Sequence, residues 1–394
     1  MKTVASALRI PAVYMRGGTS KGVFFHASDL PQDRAERDAI LLRVIGSPDR
    51  YGKQIDGMGG ASSSTSKVVL LARSSRPGFD VDYLFGQVAV DAPLIDWSGN
   101  CGNLTAAVGP FAISEGLVDA PADGLAQVRI WQANIAKGII ARVPMRQGQV
   151  QEDGDFVLDG VAFAAAEIEL EFDEAGAEGT QAGAPAFPTG RVIETLQANG
   201  RSYEVTLINA GNPTIFVDAQ ALGLTGTELQ EPFNSTADLL ERCERLRARG
   251  AVVMGIAADE QEATRLRRHT PKLAFVAAAQ PYTASDGTNV GADRVDLVAR
   301  IISMGKLHHA MTGTGAIAIA AAANIPGTVV HRLLARTQTP TTSATVRFGH
   351  PSGVLEVGAS SRKVGDAWVV EKVTMSRSAR RLMEGFVRVP AARL

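Results

Sequence analysis

The sequence has little of what marks metal sites, disulfide frameworks or membrane segments. Among its 394 residues there are two cysteines and six histidines, and neither an HExxH nor a CxxC spacing occurs. Two thiols build neither a disulfide framework nor a four-cysteine zinc site. No apolar run approaches the ~18 residues of a membrane span, and residues 1–11 hold no signal-peptide core. We therefore expect a cytoplasmic protein with reduced thiols and no metal.

An excess of charge of either sign is also missing. The 40 basic residues nearly cancel the 41 acidic ones, and no basic stretch suggests binding to nucleic acid or to a membrane. There is no GxxxxGK[ST] motif, and no GxGxxG follows a predicted strand with an acidic residue ~20 positions on. We expect a small soluble ligand and no cofactor.

The chain has an ordinary globular composition and is 45% hydrophobic. Its 394 residues are more than one hydrophobic core normally holds. Short apolar runs between Gly, Pro, Asp and Ser predict strands at 68–71, 88–90, 128–131, 139–143, 203–208, 274–278 and 367–373. Two segments of small and apolar residues, 104–115 and 316–323, predict buried helices. The pattern indicates a mixed α/β (α+β) fold.

Three features occur in the same order in both halves of the chain. The first is a strand, a glycine turn and a second strand. The second is a polar stretch that ends in a lysine just before a strand. The third is a glycine turn followed by a helix of small residues. The paired segments are 13–25 and 207–217, 62–69 and 268–275, and 99–107 and 312–318. Such a repeat predicts two duplicated domains that face each other across a cleft.

The domain boundary is expected in the polar stretch 173–188, which is rich in Gly, Ala and Glu. We predict one domain over residues 1–186, completed by the C-terminal strand 376–394, and a second over 187–375. Each domain would present one lysine and one helix N-terminus to the shared cleft.

Lys67 and Cys101 are the predicted reactive groups. Cys101 lies in the turn Gly-Asn-Cys-Gly-Asn at a helix start, where the helix dipole favours a thiolate. Cys243 instead lies in an amphipathic helical segment and is expected to be inert. Lys67 follows a run of hydroxyl residues and precedes a strand; burial or neighbouring cations would make it a general base.

The remaining predicted site residues would hold a di- or tricarboxylate. Helix N-termini bind carboxylates through unpaired backbone N–H groups, and proton abstraction from carbon needs fixed donors for the enolate charge. Cations, hydroxyls and the two glycine turns supply Arg16, Thr19, Ser20, Lys21, Ser64, Ser66, Asn100, Gly102, Asn103, Lys272, Ser303, Gly313, Thr314 and Gly315.

Several of these segments closely resemble the PrpF-type family, the 2-methylaconitate cis-trans isomerases of the methylcitrate route of propionate breakdown. The segments are YMRGGTSKG at 14–22, DGMGG at 56–60, SSSTSK at 62–67, DWSGNCGNL at 96–104, SMGKLHH at 303–309 and GFVRVP at 385–390. The likeness runs from about residue 11 to residue 390.

The resemblance implies the diaminopimelate-epimerase-like fold, in which each of two domains wraps a sheet around a central helix. It also implies that Lys67 and Cys101 are the acid/base pair and that Lys272, Ser303 and His308 hold substrate. The wider superfamily has a second cysteine where this chain has the turn 312–315, Thr-Gly-Thr-Gly. A two-thiol mechanism is thereby excluded, and Lys67 is the expected base for interconverting trans- and cis-2-methylaconitate, a tricarboxylate.

Other functions stay open at this point. A 4-oxalomesaconate tautomerase, or an aconitate or methylitaconate isomerase, would share the same motifs. A non-catalytic accessory protein that pairs with a methylcitrate dehydratase is the alternative from a different class. The oligomeric state, a homo-oligomer included, is not decided by the sequence.

Overall fold

The computed structural model describes residues 7–173, 185–334 and 345–390. Their strands are β1 Leu8–Gly17, β2 Ser20–His26, β3 Lys67–Arg73, β4 Val81–Val88, β5 Ile95–Asp96, β6 Gly124–Gln132, β7 Lys137–Arg146, β8 Gln149–Val150, β9 Ile168–Asp173, β10 Glu194–Ala198, β11 Arg201–Ala210, β12 Asn212–Asp218, β13 Lys272–Ala278, β14 Tyr282–Thr283, β15 Asn289–Val290, β16 Leu297–Ser303, β17 Lys306–Leu307, β18 Thr345–His350, β19 Gly353–Val364, β20 Ala367–Arg377 and β21 Ala379–Val389. The helices are α1 Arg34–Ile45, α2 Thr105–Ser114, α3 Gln230–Asn234, α4 Ala237–Val253, α5 Glu260–Leu266, α6 Gly313–Asn324 and α7 Val329–Leu334. In these ranges, none of the helices is long and apolar enough to cross a membrane.

The same order of strand pairing occurs twice along the chain. In the first half, β1–β2 is antiparallel, β2–β3 parallel, β3–β4 antiparallel, β4–β6 parallel, and β6–β7 and β7–β9 antiparallel. In the second half, β11, β12, β13, β16, β18, β19 and β20 pair with the same directions in the same order. The repeat predicted from the sequence is therefore a repeat of sheet topology.

The two sheets are joined edge to edge. Strand β9 pairs with β20 in antiparallel register, so that Phe172 faces Val373. At the far edge of the first sheet, β21 pairs with β1 along its length, which ties the C-terminal segment to the first half. The predicted boundaries 1–186 and 187–375 stay a prediction.

A buried helix lies inside each sheet. All but the last two residues of α2 are buried, and α6 is buried from Gly313 to Ala322. Because both sequences consist mostly of Ala, Gly, Val and Ile, backbone and sheet can approach closely on every side. Both helices belong to one continuous hydrophobic cluster. The helices α1 and α4 pack on the opposite faces of the first and second sheets and form separate clusters.

Most predicted elements are confirmed. The helices predicted at 104–115 and 316–323 are α2 and α6, and six of the seven predicted strands lie within or along observed ones. The strand predicted at 88–90 was wrong beyond Val88, where β4 ends. Ala89 is buried and Val90 half-buried in a turn that closes when the N–H of Ala89 donates to Leu94 O. Of the predicted crossover 173–188, residues 174–184 lie outside the described residues.

Candidate active site

The N-termini of the two central helices meet at two glycines. A Cβ added to Gly102 would lie 2.8 Å from the carbonyl carbon of Gly313, and a Cβ on Gly313 would meet the backbone of Gly102 still more closely. Only glycine allows backbone to approach backbone at this distance. The contact is reciprocal, so it places Gly102 opposite Gly313 on the axis that relates the halves.

That correspondence makes Thr312 the counterpart of Cys101. The N–H of Leu104 donates to the Sγ of Cys101 at 3.4 Å, and the N–H of Gly315 donates to the Oγ1 of Thr312 at 3.1 Å. Each side chain accepts the amide three residues on, but only Thr312 is a helix N-cap, that of α6. Cys101 accepts its bond in the turn before α2, whose N-cap residue Leu104 has no side-chain cap. The thiol of the first half is thus replaced by a hydroxyl in the second.

The two lysines are also equivalent. Lys67 is the first residue of β3 and Lys272 the first of β13. The Nζ of Lys67 donates to the Oε1 of Gln87 at 2.7 Å, and Gln87 faces Lys67 across the β3–β4 pair. The Nζ of Lys272 donates to the Oγ of Ser303 at 3.2 Å. Each lysine thus donates a hydrogen bond to a polar side chain on the neighbouring antiparallel strand.

Lys67 is buried at the foot of α2. Its ammonium lies 5.0 Å from the centre of the Phe85 ring and within hydrogen-bond reach of Cys101. Burial lowers the pKa of Lys67, and the facing thiol opposes part of that shift. An amine with a lowered pKa is available in its neutral form to accept a proton.

Lys272 is equally buried but has different partners. Besides Ser303, its Nζ donates to the backbone oxygen of His269 at 3.3 Å. Burial lowers the pKa of Lys272 to about 7, with a further contribution from the charge of Lys67, while Cys101 and Asp96 raise it. The charge of Lys67 thus disfavours protonation of Lys272 in the absence of an anion.

Two histidines complete the surroundings as neutral rings. Burial keeps the pKa of His269 well below 6.5, and Lys272 and Lys67 lower it further. Burial also keeps the pKa of His308 well below 6.5, and His309 and both lysines lower it further. Each is fixed by hydrogen bonds: the Nδ2 of Asn212 lies 3.2 Å from the Nε2 of His269, and the N–H of Ala310 donates to the Nδ1 of His308 at 3.1 Å.

These groups enclose a small cavity, which we call the inner cavity. Its lining residues are Ser20, Lys67, Asn100, Cys101, Gly102, Asn103, His269, Lys272, Ser303, His308, Thr312, Gly313 and Thr314. Its volume of about 10 Å³ is room for roughly one water molecule. Eleven of the seventeen predicted site residues are brought together here.

The other six predicted residues lie elsewhere. Arg16, Thr19, Lys21 and Ser64 line a larger neighbouring cavity, which we call the outer cavity and which shares Ser20 with the inner one. The hydroxyl of Ser66 donates to the Oε1 of Gln54 at 2.7 Å, away from both cavities. Gly315 lines neither cavity: its Cα faces the side chains of Ile301 and Met311, and its N–H donates to the Oγ1 of Thr312.

Sequence reasoning missed His269, Thr312 and the buried Arg377. The Nε of Arg377 donates to the Oδ1 of Asn103 at 3.2 Å, while the Nδ2 of Asn103 donates to Thr19 and to the backbone oxygen of Met311. Asn103 therefore ties both halves to the site. The alignment of 268–275 with 62–69 was the signal that pointed to His269; Arg377, from β20, had none.

The site has more cationic than anionic groups. Lys67, Lys272 and Arg377 are each buried there, and burial lowers the pKa of Arg377 to about 10. The nearby carboxylate is Asp96, which already accepts hydrogen bonds from Ser98 and from the N–H of His269. Across the described residues, no three His, Cys, Asp or Glu side chains are grouped to hold a metal ion. The arrangement suits a small polyanion.

Comparison with known proteins gives a match over almost the whole chain. The family model described as PrpF protein matches residues 7–390. A 2-methyl-aconitate isomerase from Cupriavidus necator is 57% identical over 391 residues, which cover 97% of this chain and 98% of that protein.

Solved structures agree in fold. The crystal structure of a methylitaconate-delta-isomerase superposes with a TM-score of 0.74 at 39% identity and covers 98% of this chain and 97% of that one. A probable proline racemase from Agrobacterium radiobacter K84 gives a TM-score of 0.53 at 14% identity, with 97% and 93% covered. The second likeness concerns the fold alone, and together they confirm the predicted fold class.

Proposed function

Because the chain belongs to the PrpF family, we propose that it is an isomerase that interconverts trans- and cis-2-methylaconitate. The observation that carries the proposal is the facing of Lys67 and Cys101 in a buried site rich in cations. The 57% identical relative is named for isomerising this acid. A trianion would offset the charges of the buried Lys67, Lys272 and Arg377.

In the proposed reaction, the neutral amine of Lys67 removes a proton from an allylic C–H bond of the substrate. The electron pair of that bond delocalises over the former double bond and the adjoining carboxylate. Rotation about the weakened bond exchanges trans for cis, and the proton then returns to carbon. No atom or electron is gained or lost, so the step requires no cofactor.

The rest of the inner cavity would hold the substrate and its developing charge. Cys101 is the proposed assisting acid, because its thiol lies beside Lys67. Lys272 and Ser303 would bind a carboxylate from the second half. The Nδ2 of Asn100 is buried in the cavity wall without a hydrogen-bond partner, and such an unpaired donor favours an anionic ligand.

The test is NMR of trans-2-methylaconitate in deuterated water with the wild type and Lys67→Ala. We expect the wild type to form the cis isomer and to incorporate deuterium at carbon. Lys67→Ala is expected to be slower by about 10³-fold or more, since a positioned general base contributes 10²- to 10⁴-fold. Lys363→Ala, which changes an exposed lysine of β19, is the matched control.

Other outcomes would change either the proposed mechanism or the proposed function. Isomerisation without deuterium incorporation and without loss in Lys67→Ala would remove Lys67 from the mechanism. Inactivity on this acid together with turnover of oxalomesaconate, aconitate or methylitaconate would identify one of the related isomerases. If all four acids are untouched, the accessory-protein hypothesis replaces catalysis.

Four wider proposals accompany this one. We place the enzyme in the cytoplasm, where both thiols stay reduced, and we keep the domain boundaries 1–186 with 376–394, and 187–375. We also keep functional pairing with a methylcitrate dehydratase and assembly into a homo-oligomer as proposals. Size-exclusion chromatography with light scattering, with and without the dehydratase, tests both.

A further inference from the structure

The outer cavity is far larger than the site it adjoins. It has a volume of about 720 Å³, within the range of small-molecule binding sites, whereas the inner cavity has about 10 Å³. A tricarboxylate fits the outer cavity as the structure stands but does not fit the inner one. Because Ser20 lines both cavities, the outer cavity borders the reaction site directly.

Three cations line the outer cavity without a carboxylate partner. Arg16 faces Arg380 directly across the β1–β21 pair, and Lys21 lies in β2 beside them. The guanidinium of Arg16 donates to the backbone oxygen and hydroxyl of Ser378. Within the described ranges, none of the three forms an ion pair. Like charges placed opposite each other in a sheet are unfavourable, which an anion between them would relieve.

Acidic groups in the same wall do not cancel this arrangement. Glu152 and Asp153 also line the cavity. The carboxylate of Glu152 accepts the N–H of Arg381 at 2.6 Å and only partly offsets the field of Arg380 at Arg16. The wall of the outer cavity therefore has one net positive charge, because it contains three cations, Arg16, Lys21 and Arg380, and these two acids. The whole chain has a net charge of −1, so attraction of an anion has to be local.

The wall between the cavities is a polar contact between the halves. The hydroxyl of Ser64, from the first half, lies 3.2 Å from the Nε2 of His308 and 3.0 Å from the Nδ1 of His309. His308 lines the inner cavity and His309 the outer one. Breaking these two side-chain hydrogen bonds would join the cavities at little cost, since each contributes only about 1 kcal/mol net.

We propose that the outer cavity is a capture site for the polycarboxylate substrate, where Arg16, Lys21 and Arg380 hold the anion before it passes the Ser64–His308–His309 contact. This proposal rests on the proposed function for the identity of the substrate. It assigns to Arg380 a role in substrate capture, distinct from the proton transfer assigned to Lys67. Such a site raises the local substrate concentration and thus kcat/KM.

The test compares Arg380→Gln with Arg388→Gln. Arg388 faces Arg9 in the same β1–β21 pair, but it lies eight residues, or roughly 25 Å, from Arg380 and lines neither cavity. At low ionic strength we expect Arg380→Gln to lower kcat/KM about 3- to 10-fold with kcat unchanged. At about 0.5 M salt, where charges are screened, the difference should disappear. Arg388→Gln should match the wild type throughout.

Equal kcat/KM in Arg380→Gln and the wild type at low salt would overturn the proposal, as would an equal loss in Arg388→Gln. If the wild type does not isomerise 2-methylaconitate, the proposed function fails separately. The capture site is then tested by calorimetry with propane-1,2,3-tricarboxylate. Weaker, salt-sensitive binding to Arg380→Gln than to Arg388→Gln supports the site, and equal binding rejects it.

Discussion

The two halves place equivalent residues at the same point and give them different chemistry. In the first half, Lys67 faces the thiol of Cys101, whereas in the second half Lys272 lies beside Ser303, and a hydroxyl, that of Thr312, replaces the thiol. The backbone repeat is retained while the side chains diverge. We infer that the first half moves the proton and the second half holds the carboxylate.

Asymmetry of this kind suits a reaction on one face of a planar substrate. A symmetric two-thiol site removes a proton from one side and returns another from the opposite side. Here a hydroxyl, that of Thr312, stands where a second thiol would be, and the buried Lys272, the counterpart of Lys67, adds binding energy for an anion. Substitutions at the shared positions and at the divergent ones should therefore have different effects, the largest at the contact between the halves.

The shared feature is the contact between Gly102 and Gly313, and alanine at either position should break it. Because a Cβ on either glycine would meet backbone atoms at or below 3 Å, the halves would have to separate. We expect Gly102→Ala and Gly313→Ala each to lower the free energy of unfolding by about 3 kcal/mol or more, measured by urea denaturation. Gly138→Ala is the control, since the nearest atoms to its Cβ are side-chain atoms, the ring of Phe79 at 3.2 Å and the Cβ of Asp173 at 3.8 Å; a similar loss there would contradict the interpretation.

The clearest difference between the halves is the thiol. Cys101→Ala should lower kcat about 10- to 100-fold while the protein stays folded, because an assisting acid is removed but the base Lys67 remains. Cys243, the other buried cysteine, has a pKa that burial raises to about 12 and lies in α4. Cys243→Ala should therefore keep wild-type kcat. An unchanged kcat in Cys101→Ala would make the thiol a shape element only.

The repeat was predictable because it consists of local patterns. A lysine at the start of a strand and a glycine turn before a small-residue helix are visible within ten residues, so Lys67, Lys272 and Cys101 were found from the sequence. The role of Thr312 as the counterpart of Cys101 became clear only from the contact between Gly102 and Gly313. Arg377 is 274 residues from Asn103, and no local pattern connects them. The separation into two cavities likewise depends on contacts between the halves.

Lys272 should add a pH dependence opposite in sign to that of Lys67, which accepts a proton only as the neutral amine and so favours high pH. With its pKa lowered to about 7, Lys272 is a cation below that pH and loses its charge above it. If it binds a carboxylate, kcat/KM should fall as pH rises above about 7, by about 3- to 10-fold, and Lys272→Arg should remove the fall because arginine stays charged. A pH profile of kcat/KM for both proteins is the measurement. An identical fall in Lys272→Arg would assign it to another group.

The lowered pKa of Lys272 also makes the free energy of unfolding depend on pH. An unfolded lysine titrates near 10.5, so between about pH 7 and 10.5 the unfolded chain binds a proton that folded Lys272 does not. The free energy of unfolding therefore rises with pH in this window because of Lys272. Lys272→Met should flatten that rise in urea titrations at several pH values, whereas Lys363→Met, at an exposed site, should leave it unchanged.

The smallest effect concerns the hydrogen bonds that Thr312 accepts at the N-terminus of α6 and Cys101 accepts in the turn before α2. Thr312→Val keeps the side-chain shape but removes the oxygen that accepts the N–H of Gly315, so we expect a loss of about 1 kcal/mol in the free energy of unfolding. Thr312→Ser should restore most of it. Sulfur is a weaker acceptor, and the bond from the N–H of Leu104 is longer and lies outside α2, so Cys101→Ala should cost less than Thr312→Val. If Cys101→Ala lowers the free energy of unfolding in urea more than Thr312→Val does, the thiol stabilises the start of the first central helix more strongly than the hydroxyl stabilises the second. The thiol would then have a structural role besides its chemical one.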